Sequence, residues 1–134
     1  MSAQLICSLR DCCNADWYHD FQDHRCPHDA WVESITVSEP SSGERHERRS
    51  LDIRVRLLGA YHDGIIEFTY HGVRRYSLEG SQQRGHGDWL SDKVETTDDD
   101  VLVHTVRLAD GAVRIEAQDA EYKWTPLTER VTIP

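Results

Sequence analysis

Apolar and polar residues alternate with a period of two along most of this chain. Leu51, Ile53, Val55 and Leu57 fall on one side, with Asp52, Arg54 and Arg56 between them. That alternation predicts a strand with one dry face and one wet face, the habit of an antiparallel sheet. Ile66, Phe68 and Tyr70 repeat the pattern. His71-Gly72 then reads as a second short turn, with another strand over residues 73–78. Leu102, His104, Val106 and Leu108 share a face, and Val113, Ile115 and Ala117 return beyond Asp110-Gly111. The Asp-Gly pair predicts a tight type I′ hairpin, because both residues tolerate positive φ. Trp31, Ile35 and Val37 mark an earlier strand on which Glu33 is the exception, and a last edge strand is expected within residues 124–133, where Val131 and Ile133 alternate. Gly, Pro and Ser place loops at 39–44, 59–64 and 80–88. Residues 89–94 fit either a short helix or a strand, and Asp98-Asp99-Asp100 reads as a solvated turn.

The first 27 residues follow a different period. Leu9, Cys13, Trp17 and Phe21 recur at every fourth position, with Cys12 beside them. That stripe predicts a helix over residues 5–22. Leu5, Cys7 and Leu9 also alternate, as a short strand leading into the helix would. The whole pattern predicts one α+β domain over residues 1–134. A helical, Cys/His-rich segment (1–27) packs on or beside a curved, mostly antiparallel sheet of about six strands (28–134).

Composition narrows the function classes. A chain of 134 residues buries about two-thirds of its unfolded surface in a single core. The net charge is −9, and residues 88–121 hold ten acids against three bases. Such a surface repels nucleic acid and suits a basic protein partner. No run approaches the roughly 20 apolar residues of a membrane span. The N-terminus lacks the pattern of a signal peptide, so the expected compartment is the cytoplasm, with Cys7, Cys12, Cys13 and Cys26 as free thiols.

The densest polar cluster is Cys12, Cys13, His19, Asp20, Asp23, His24, Cys26, His28 and Asp29. Cys12, His24, Cys26 and His28 are the candidate ligands if zinc binds. Pro27 breaks the helix that would align His24 with His28, and no Cys-x2-Cys pair is present, so no cofactor is called for. A metal- or thiol-dependent enzyme using the segment from Cys12 to Asp29 is the alternative, through a cysteine–histidine pair. His28-Asp29 reads more simply as a turn before the Trp31 strand, its carboxylate holding backbone N–H groups. His104 reads as a hydrogen-bonded core histidine, with the His28-Asp29 turn as candidate partner.

Arg45, Arg48, Arg49, Arg54 and Arg56 could bind phosphate or an acidic partner, but Glu44, Glu47 and Asp52 lie among them, which predicts an internally paired wet face instead; Arg74-Arg75 is a second basic pair. The candidate docking surface is the acidic stretch Asp88, Trp89, Asp92, Asp98, Asp99 and Asp100, with Trp89 exposed. A small-ligand pocket lined by Trp31, Phe68 and Tyr70 is a further alternative, against the plainer reading of those residues as core.

The succession His28-Asp29-x-Trp31, Leu51-x-Ile53-x-Val55, Ile66-x-Phe68 with Gly72-Val73, and His104-x-Val106-x-Leu108 with Asp110-Gly111 resembles small bacterial proteins of immunity-protein-like type. The resemblance spans residues 28–119 and leaves the N-terminal Cys/His segment without a counterpart. It implies an α+β, mostly antiparallel fold and no catalysis. Proteins of that type occlude a toxin's active site or an adjacent surface, and an acidic patch fits a basic nuclease. The leading expectation is therefore a non-enzymatic cytoplasmic protein-binding domain, plausible as an immunity-type inhibitor.

Overall fold

In the computed structural model, which describes residues 3–81, 83 and 85–127, nine strands and one helical turn are connected in chain order. They are β1 (Leu5–Ser8), α1 (Leu9–Cys12), β2 (Trp31–Ser38), β3 (Ser41–Ser42), β4 (Arg48–Arg49), β5 (Asp52–Leu58), β6 (Gly64–Glu79), β7 (Trp89–Thr96), β8 (Leu102–Leu108) and β9 (Gly111–Pro126). A single 3₁₀ turn, Asp16–His19, lies between α1 and β2. Among the described residues, strand accounts for 59% and helix for 7%, with no helix of seven residues or more. The fold is therefore nearly all β, and the expected α+β architecture with an N-terminal helix is wrong.

Backbone pairing explains the missing helix. Leu5–Ser8 pairs antiparallel with Glu121 to Trp124 of β9, a length of that strand which β8 leaves uncovered. Satisfying that open edge outweighs the four-residue apolar period. After one turn of α1, the aspartates favour local turns over a helix. Asp20 accepts from the Gln22 N–H at 3.0 Å and Asp23 from the Arg25 N–H at 2.9 Å. Cys7 and Cys12 form a disulfide between β1 and α1, so only Cys13 and Cys26 carry thiols, contrary to the expectation of four.

The main sheet has seven strands in the order β2-β5-β6-β9-β8-β7, with β1 also on β9. Its spine is the antiparallel pair of two 16-residue strands, β6 and β9. The two outer strands of this order meet at one end. Trp89 N–H donates to Ala30 O at 2.9 Å, and Asp29 N–H donates to Trp89 O at 2.7 Å. These bonds curl the sheet into a barrel, which removes part of its exposed edge. Asp29 makes the junction by adopting φ +66°, a left-handed conformation aspartate tolerates. Its backbone ties the turn, not the predicted side-chain cap.

The interior is filled. Ile53, Val55 and Leu57 of β5, Ile66, Phe68 and Tyr70 of β6, Leu102, Val106 and Leu108 of β8, and Val113 and Ile115 of β9 are buried together. Inward positions then step by three, from Tyr70 to Val73 and from Ala117 to Ala120. The step lies at Gly72, whose φ is +61°. The predicted turn at His71-Gly72 is thus a bend within one continuous strand. A second irregularity between Val32 and Ser34 puts Val32 and Ile35 on the core side, and leaves Trp31 half exposed. Residues 89–94 are strand. Trp124 belongs to β9, buried and opposite Ile66, and the predicted alternation at Val131 and Ile133 lies outside the described residues.

The β8–β9 hairpin also differs from expectation. Leu108 pairs with Gly111, so Ala109-Asp110 is the loop, and neither Asp110 nor Gly111 has positive φ. Gly111 is needed for another reason: a Cβ there would collide with the Glu79 carbonyl oxygen of β6. Among the described residues, no helix is long and apolar enough to cross a membrane.

Candidate functional site

Residues 9–30 cover one mouth of the barrel. Trp17 packs on Tyr122 with ring centroids 5.1 Å apart, and Tyr122 O–H donates to the Arg25 carbonyl. Arg25 lies 4.8 Å above the Trp17 ring and pairs with Asp23 at 2.7 Å. Two features arise beneath and around this cover: a buried polar chain and an exposed aromatic face.

The buried chain joins four elements. Asp92 Oδ2 accepts from Tyr18 O–H at 2.6 Å and from His104 Nε2 at 2.6 Å. His104 Nδ1 meets the Tyr70 hydroxyl at 2.7 Å. Every group is satisfied when the ring donates from Nε2 to Asp92 and meets, through Nδ1, the Tyr70 hydroxyl, which can either donate or accept. Trp89 Nε1 lies 3.4 Å from the other Asp92 oxygen. Burial alone would raise the Asp92 carboxyl, but the hydrogen bond and charge of His104, with the Tyr18 and Trp89 bonds, hold it below the ordinary range. Burial, with the Asp92 charge nearby, pushes Tyr18 and Tyr70 well above theirs. The expected partner of His104, the His28-Asp29 turn, is not in this chain.

Outside Asp92 lies a groove of about 190 Å³, lined by Tyr18, His19, Phe21, Cys26, His28 and Ser91 among others. Cys26 Sγ donates to the Tyr18 carbonyl at 3.0 Å, and burial raises its thiol. Burial, with Asp92 second, also raises Cys13. Both shifts run opposite to what a nucleophilic cysteine requires.

The candidate zinc ligands diverge. Cys12 is spent in the disulfide. His24 pairs with Asp63 and stacks on Tyr61 at 4.0 Å. His28 stacks on Phe21 at 3.8 Å, and its Nδ1 lies 2.9 Å from the Leu90 carbonyl. Among the described residues, no three Cys, His, Asp or Glu side chains converge on a point.

The residues expected to form an acidic docking surface are also separated. Trp89 is buried in the core, 5.0 Å from Phe68, and so is not an exposed anchor. Asp92 faces inward to His104. Asp88 bridges to Trp31 at the barrel seam. Asp100 accepts from Arg10 at 3.1 Å, and the same guanidinium holds the Asp100 and Gln118 carbonyls. Asp98 and Asp99 remain exposed. The alternative pocket does not form, because Phe68 and Tyr70 are core while Trp31 lies outside against His62 at 4.5 Å.

What gathers instead is an aromatic–histidine face. Phe21 is 62% exposed, Trp31 50% and Tyr61 47%, with Leu90 at the border of exposure. Contacts make it continuous: Tyr61 O–H donates to the Phe21 carbonyl at 3.2 Å, Phe21 stacks on His28, and His28 reaches Leu90. Asp20, Asp29, Asp63 and Asp88 adjoin it. One oxygen of Asp63 is occupied by His24, and the other is buried without a partner. Phe21 carried the only sequence signal for this face, since it lay on a predicted helical stripe but sits beside Asp20. No protein-family model matches the chain, and neither a curated protein nor a solved structure is detectably similar to it.

Proposed function

We propose that this protein is a non-enzymatic binding domain, and that it docks a basic protein through the aromatic–histidine face. The carrying observation is the exposure of Phe21, Tyr61 and Trp31, each against a histidine (Phe21 and Tyr61 stacked, Trp31 edge-on to His62, the neighbour of Tyr61) and bordered by carboxylates. Large exposed aromatic patches favour partner binding, and rigid aromatics supply contact area at little entropic cost. Aromatic faces also attract lysine and arginine, while the adjoining carboxylates neutralise them. Immunity-type inhibition of a basic toxin is the particular form that the resemblance suggests. The Cys7–Cys12 disulfide favours an oxidising compartment over the expected cytoplasm, since disulfides persist mainly there.

The test is a nuclear magnetic resonance titration of the ¹⁵N-labelled chain with a lysine-rich peptide. Amide shifts centred on residues 21–31 and 61–63, together with the Trp31 indole, are the expected result. Shifts confined to residues 98–100, or spread evenly over all exposed carboxylates, would reject the assignment.

A further inference from the structure

Arginine normally finds a carboxylate where carboxylates are plentiful. Here acids outnumber lysine and arginine by 24 to 15. Even so, among the described residues, the side chains of Arg45, Arg48, Arg49, Arg54, Arg74 and Arg75 have no ion pair or hydrogen bond, and only Arg56 of this group is paired, to Glu33 at 3.1 Å. The internally paired wet face expected from sequence therefore does not form. Nearby acids have other partners. Glu47 accepts from the Arg45 backbone N–H at 3.1 Å, and Asp52 lies 3.6 Å from His71 and accepts from the Gly72 N–H at 3.3 Å.

Two of the unpaired guanidiniums share one groove. Arg49 of β4 and Arg74 of β6 line a cavity of about 460 Å³ with Ser50, Gly72 and Gln118. A backbone bond, Val73 N–H to Leu51 O at 2.7 Å, ties the segment just after β4 to β6 there. Gly72 keeps its part of the wall free of a side chain, at a positive φ that most residues resist. Glu39 also lines the groove, beyond ion-pair reach of either arginine.

We propose that this groove binds a compact phosphate-bearing anion, a phosphomonoester carried on a small molecule. Guanidiniums from two separate strands present planar forks, which match phosphate oxygens in bidentate fashion. The cavity falls in the range used for small ligands, about 300–1,000 Å³. Charge selects against long polyanions. Residues 45–75 hold seven arginines and four acids, +3 in all, which leaves −12 on the remainder of the −9 chain. A nucleic-acid backbone extending from the groove would meet that remainder and be repelled.

The test titrates the ¹⁵N-labelled full chain with inorganic phosphate and, separately, with glycerol phosphate at matched ionic strength. Saturable shifts are expected at Gly72, Val73 and the side-chain Nε of Arg49 and Arg74, with a phosphate Kd near about 1 mM and a tighter ester. The Arg49→Gln/Arg74→Gln double variant should weaken binding at least about tenfold. The Lys/Lys variant, which keeps charge but loses the forks, should also bind more weakly than wild type. Arg107→Gln, an unpaired arginine elsewhere, should leave binding unchanged. Four results would overturn the proposal: non-saturable shifts, equal weakening by Arg107→Gln, undiminished binding in the Lys/Lys variant, or tighter binding of single-stranded DNA than of the monoester.

Discussion

His104 Nε2 donates to Asp92 at 2.6 Å beneath the N-terminal cover, and the histidine ring is wholly closed to water. Tyr18 brings the covering segment to the same carboxylate, and Tyr70 brings β6 to the other ring nitrogen. Asp92 is thus the point at which the cover, β7 and β8 are joined. Asp92→Ala strands His104, Tyr18 and Trp89 together. The expected loss is about 3–5 kcal/mol, since breaking a buried pair leaves an uncompensated polar group. Urea unfolding measures it, and a loss below about 1 kcal/mol would mean that the chain is not structural.

Acid should weaken the same junction. The native Asp92 carboxyl titrates below its ordinary range, because the His104 and Tyr18 bonds outweigh the upward push of burial. The unfolded chain takes up this proton first, near about pH 4. The stabilisation is complete above that value, and is lost as pH falls from there through the native value. The stability gap between wild type and Asp92→Asn should therefore narrow as pH drops below about 4. Paired urea titrations across that interval check it. A gap of constant size would show that Asp92 does not contribute by linkage.

The disulfide makes a simple count. Protein unfolded without reductant should react with a thiol reagent at two sites, Cys13 and Cys26. After reduction it should react at all four cysteines of the chain. Cys7→Ser/Cys12→Ser should cost about 2 kcal/mol, the loop-entropy value for so short a closed segment. Four reactive thiols before reduction would remove the Cys7–Cys12 link.

Local pairing was legible in sequence, and long-range closure was not. The alternations at Ile53-Val55-Leu57 and Leu102-His104-Val106-Leu108 each form a buried strand face as read. Each depends only on its own pattern and one dry side. The helical stripe of Leu9, Cys13, Trp17 and Phe21 failed after one turn because Asp20 and Asp23 close local turns along it, whereas the short strand read from Leu5 and Cys7 does form, on a β9 edge more than 100 residues away along the chain. Trp89 misled for a related reason: acids flank it along the chain, but the barrel seam turns its ring inward and Asp92 turns inward with it to His104. His104 was legible as a satisfied core histidine, but its partners, 34 and 12 residues distant, were not. The aromatic–histidine face exists only once the 21–31 segment meets the 61–63 turn. No single stretch of sequence contains it.

The most direct measurement compares two variants against one basic partner, the lysine-rich peptide, by isothermal calorimetry. Phe21→Ser/Tyr61→Ser alters the aromatic face, whereas Asp98→Asn/Asp99→Asn alters the acidic turn, and both positions are exposed enough to leave the barrel core untouched. Loss of the two aromatics should raise Kd by tenfold or more, the equivalent of about 1.4 kcal/mol. The acidic-turn variant should change Kd far less. Binding abolished by the Asp98/Asp99 changes, with the aromatic variant at wild-type affinity, would contradict the account.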